Sequence, residues 1–89
     1  MKKFIYTTDS SSWLRPNDDA CLFITSPTAI KGSSYRTICI GKTLAMLVAT
    51  ESEKELIKRC VGDETVRRTD MEVSMTKAEF ESLVRLSNL

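Results

Sequence analysis

Met71, Val73 and Met75 alternate with Asp70, Glu72 and Ser74. That period of two predicts a strand with one face in a core and one in water. Its neighbours follow the other period. Leu56, Ile57, Cys60 and Val61 form an apolar stripe at helical spacing, and so do Phe80, Leu83 and Val84. Each stripe is preceded by a threonine with a glutamate three residues on, Thr50/Glu53 and Thr76/Glu79, which is the spacing of a capping box. Glu51, Glu53 and Glu55 at the start of the first helix and Lys58 and Arg59 at its end suit the helix dipole, and Gly62 suits its stop.

Earlier in the chain the pattern favours strands. Lys3 to Thr8 is rich in aromatic and β-branched residues and reads as a first strand. Ala20 to Thr25 is a compact apolar run, ended by Ser26-Pro27, and reads as a second. Tyr35 to Ile40 alternates loosely and reads as a third, with Gly41-Lys42 as a hairpin turn. Thr43 to Ala49 is apolar on both faces and reads as a fourth strand, central and covered. The alternative is a single helix from Thr43 to Cys60, because Leu, Ala and Met favour helices. The segments 9–19 and 26–34 are long polar loops, and Val66-Arg67-Arg68-Thr69 reads as a charged sheet edge. The resulting order is β-β-β-β-α-β-α in one domain, residues 1–89. The fold class is α+β, a small mostly antiparallel sheet of four to five strands with two helices packed on one face.

Composition narrows the chemistry. The 89 residues contain no histidine, which removes the commonest general base and transition-metal ligand, and with it Ser-His-Asp, Cys-His and HExxH arrangements. Cys21, Cys39 and Cys60 are odd in number and widely spaced, with no CxxC pair. Their apolar neighbours suggest buried, reduced thiols in a cytoplasmic protein. The longest apolar run, Leu44 to Ala49, is far short of a membrane span, and Thr7, Thr8 and Asp9 cut short any leader-like start. No metal or cofactor set and no catalytic constellation emerges. Gly41-Lys42-Thr43 resembles the end of a phosphate-binding loop, but Arg36 stands where that pattern needs a glycine.

Net charge is +1, with residues 1–42 at +3 and residues 43–89 at −2. These features leave a non-catalytic protein–protein interaction module, an inhibitor or adaptor, as the leading expectation. Its contacts would come from Trp13, Arg15, Lys31, Arg36, Lys42, Arg67 and Arg68. Trp13 would either fold onto the core or anchor an interface. Self-association through a strand edge is a further expectation. The alternative is a single-stranded nucleic-acid binder that uses the basic first half together with Tyr6, Trp13 and Tyr35.

Overall fold

The computed structural model describes residues 2–13, 20–28, 30, 37–62 and 69–89. Its elements are β1 (Lys3–Asp9), β2 (Cys21–Thr25), β3 (Thr37–Gly41), α1 (Lys42–Val48), α2 (Glu51–Val61), β4 (Met71–Thr76) and α3 (Lys77–Ser87). The four strands make one sheet in the order β3-β2-β1-β4, antiparallel throughout. The α+β class is as expected, and β1, β2, β3, β4, α2 and α3 all fall where the periodicities put them.

Both capping boxes form. Thr50 Oγ1 accepts from the Glu53 amide at 3.2 Å while Glu53 Oε1 accepts from the Thr50 amide at 2.8 Å. Thr76 and Glu79 make the same reciprocal pair at 3.1 and 2.8 Å. Gly62 caps α2 at φ 70°, ψ −141°, a backbone conformation that side chains with a Cβ avoid.

Thr43–Ala49 is the main correction. It is not a strand, central or otherwise: Gly41 ends β3 and α1 begins at Lys42 with no hairpin between them. Leu44, Ala45, Met46 and Leu47 are good helix formers, and as a helix they satisfy their own backbone without a sheet neighbour. Nor is it part of one long helix. Ala49 takes extended angles (φ −69°, ψ 141°), and the capping box at Thr50 starts a new helix. The fourth strand of the sheet is Met71–Thr76 instead.

Strand alternation sorts the sheet into two faces. Tyr6, Leu22, Ile24, Ile38, Ile40, Val73 and Met75 point into the core. There they meet Leu56, Ile57, Cys60 and Val61 of α2 and Phe80, Leu83, Val84 and Leu86 of α3. The opposite face leaves Ile5, Phe23 and Cys39 exposed among Thr7, Thr25, Thr37, Glu72 and Ser74. Thr25 and Thr37, cross-strand partners on that face, hydrogen-bond at 3.0 Å.

Tyr6 lies fully buried and stacks on Phe80, with ring centroids 4.8 Å apart. Its hydroxyl has no hydrogen-bond partner among the described residues. Burial, then the nearby carboxylates of Glu81 and Glu79, raises the pKa of the phenol. An unpaired buried hydroxyl costs about 1–3 kcal/mol. Tyr6→Phe keeps the ring and removes that cost, so thermal unfolding should show an unchanged or higher Tm. A loss above ~1 kcal/mol would mean that the hydroxyl has a partner in solution.

Candidate interaction surface

α1 is amphipathic with its apolar side turned outward. Leu44, Leu47 and Val48 occupy positions i, i+3 and i+4 and so share one helix face. All three are exposed, Leu47 at 77%. Ala45, on the other side, is the only residue of α1 that is buried. Water normally faces the polar side of a surface helix, and this stripe reverses that arrangement. α1 also has no side-chain cap, no acidic residue in its first turn and no basic residue in its last. A seven-residue helix with no such help depends on its neighbours for stability.

Beside the stripe lies a cleft of about 140 Å³. Trp13, Met46, Ile57 and Val61 form its apolar wall, and Glu51, Lys54 and Lys58 line it along α2. Lys54 pairs with Glu51 at 3.6 Å and Lys58 with Glu55 at 3.5 Å, both within α2 and largely in solvent. Exposed pairs of this kind contribute little to stability.

Trp13 folds back onto the core and is only 2% exposed. Its amide donates to the Ser10 carbonyl at 2.9 Å. Lys42 Nζ donates to the Trp13 carbonyl oxygen at 3.1 Å and lies 5.7 Å from the centre of the indole ring. The structure thus brings together two of the expected contact residues, Trp13 and Lys42, as a brace behind α1. Arg15, Lys31, Arg36, Arg67 and Arg68 lie outside the described residues. The Gly41-Lys42-Thr43 segment does lead from strand to helix, but β3 runs straight into α1 with no glycine-rich loop, and Lys42 is committed to Trp13. Of the aromatic residues considered for base stacking, Tyr6 and Trp13 are in the core and Tyr35 lies outside the described residues.

Glu53 and Glu79 have structural duties beyond their caps that spacing alone does not reveal. Glu53 is 3% exposed. Besides its cap it accepts from Arg85 Nη2 at 2.6 Å and from Ser82 Oγ at 3.0 Å, so it joins α2 to α3. Burial opposes its ionisation, but bonds from the Thr50 backbone, Arg85 and Ser82 outweigh burial and lower its pKa. Glu79 accepts from the Thr76 backbone, which lowers its pKa against burial, and Arg59 at 2.9 Å adds to the effect. Among the described residues no three His, Cys, Asp or Glu side chains gather as a metal ion would require, and no helix is long and apolar enough to cross a membrane.

The cysteines depart from expectation. Cys60 is buried, but Cys39 is exposed and Cys21 half-buried. Ile38 and Ile40 take the covered face of β3, so Cys39 between them falls on the open face, and Cys21 shares that face with Phe23. Comparison with known proteins returns no matching family model, no matching curated protein and no matching solved structure.

Proposed function

We propose that the protein is a small non-catalytic interaction module of the cytoplasm, an inhibitor or adaptor that acts by inserting α1 into an apolar groove of another protein. The observation that carries this reading is the outward stripe Leu44, Leu47 and Val48. Helix-in-groove recognition uses anchors at this spacing. The cleft lined by Trp13 and Met46 extends the apolar surface and can take a side chain from the partner. Two copies docked stripe to stripe would contribute one short helix each, whereas a stable interface needs roughly 20–30 residues a side. A larger partner that surrounds α1 and reaches the cleft and the β3 edge suits the surface better than a second copy.

Leu47→Lys tests it. The side chain is exposed, so the variant should keep the wild-type Tm and circular dichroism. A partner cross-linked to the wild-type chain in its native host, and then purified, should bind the variant at least tenfold more weakly. Burying a charge in place of a leucine anchor costs more than the roughly 1.4 kcal/mol that tenfold represents. Equal binding by both chains would remove α1 from the interface. Light scattering that shows a stable dimer, dissociated by Leu47→Lys, would replace the partner with a second copy.

A further inference from the structure

β2 and β3 pair with Phe23 opposite Cys39 and Cys21 opposite Gly41. Cys21 and Cys39 are therefore diagonal neighbours on the open face of the sheet. Gly41 presents no side chain to Cys21, and a Cβ placed there would meet nothing within 4 Å. The space beside Cys21 is thus open, and the register sets its side chain beside that of Cys39 across the β2–β3 pair. Cys39 is exposed, so a small molecule in solvent can reach the pair. Cys60 is fully buried on the other face.

We propose that Cys21 and Cys39 are a dithiol site that closes into an intramolecular disulfide by exchange with a small disulfide of the glutathione class, clasping the edge strand β3 to β2. One cysteine, as thiolate, attacks a sulfur of oxidised glutathione and displaces one glutathione thiolate. The second cysteine then attacks the protein sulfur of the mixed disulfide and displaces the other. Two protein thiols are oxidised, one glutathione disulfide is reduced to two thiols, and the two cysteine protons pass to solvent or the leaving thiolates.

The geometry sets the character of the clasp. Diagonal neighbours lie roughly 7–8 Å apart, a little beyond the roughly 4.4–6.8 Å of relaxed disulfides. Closure therefore draws the edge strand inward, and excess reduced glutathione should reopen the bond. Burial, then the neighbouring Cys21 thiol, pushes the Cys39 thiol up to about 11. Exchange is accordingly slow at neutral pH and speeds up as pH rises, since the thiolate is the nucleophile.

The test treats the full folded chain with oxidised glutathione at pH 7 and pH 9 and follows intact mass and free thiols. The expected product is a monomer lighter by two hydrogens that keeps one free thiol, formed roughly tenfold or more faster at pH 9. Peptide mapping should place the bond between Cys21 and Cys39. Cys60→Ser should close in the same way, because burial holds the Cys60 thiol near 12 and out of reach. Cys21→Ser and Cys39→Ser should each stop at a glutathione adduct. Retention of three free thiols, stable adducts on both cysteines of the wild-type chain, or a disulfide-linked dimer in place of the lighter monomer would each overturn the proposal.

Discussion

Glu53→Ala should cost about 3 kcal/mol. Glu53 closes the capping box on Thr50, and loss of a cap alone costs about 1 kcal/mol. Its carboxylate also takes a charge-assisted bond from Arg85 and a further bond from Ser82. Bonds to charged groups contribute about 1.5–3 kcal/mol each before overlap is discounted, and Arg85 is half in solvent and partly recovers its hydration. For a domain of this size the Tm should fall by on the order of 15 °C. Glu53→Gln keeps a capping side chain and should lose roughly half as much. Chemical denaturation of both variants would check this ordering, and a smaller loss for Ala than for Gln would contradict it.

The same residue predicts an acid dependence. Glu53 and Glu79 have folded pKa values below their unfolded ones, so their stabilising effect is complete above the unfolded pKa of about 4.3. It is lost as pH falls through the depressed folded values. The stability gap between the wild-type chain and Glu53→Gln should therefore be constant from neutral pH to about pH 5 and should narrow below pH 4. A gap that stays constant into strong acid would show that Glu53 acts only through its shape.

Phe80→Ala should be the most damaging single change, at about 4 kcal/mol. Phe80 is fully enclosed beneath the sheet and stacks on Tyr6 with the ring planes 25° apart. Its removal leaves a cavity under the central strand and strips Tyr6 of an aromatic partner that contributes roughly 0.5–1.5 kcal/mol beyond simple burial. Total stability near 5–13 kcal/mol is expected for a chain this long, so the variant should lose roughly a third to four-fifths of it. A double-mutant cycle with Tyr6→Leu and Phe80→Leu isolates the stacking part. A coupling energy near zero would mean that the two rings act only as bulk.

The regular parts of this fold were readable because their signals are local. Thr50 and Glu53, or Thr76 and Glu79, are three residues apart and need no tertiary information to form a cap. Met71, Val73 and Met75 alternate whatever packs on them. Thr43–Ala49 failed because a run of six consecutive apolar residues fits a covered strand as well as a helix. Leu44, Leu47 and Val48 did carry helical spacing, but their exposure could not be read from it, since apolar stripes are usually buried. The contact expected from scattered cations reduces, within the described residues, to Lys42 bracing Trp13. The link from Glu53 to Arg85 spans two helices and was invisible to spacing within one. Cys21 and Cys39 looked like core residues because their neighbours are apolar. Alternation in fact puts a residue on the side its neighbours avoid.

The strand order has a consequence for how the chain is made. β1 sits between β2 and β4, and of these four strands it is the first to be synthesised. It can pair with β2 early, but its other edge stays open until Met71–Thr76 have been synthesised. A nascent chain arrested before Met71 should therefore present the row from Lys3 to Thr8 as an unmatched ladder, open to chaperones or to neighbouring chains on the same polysome.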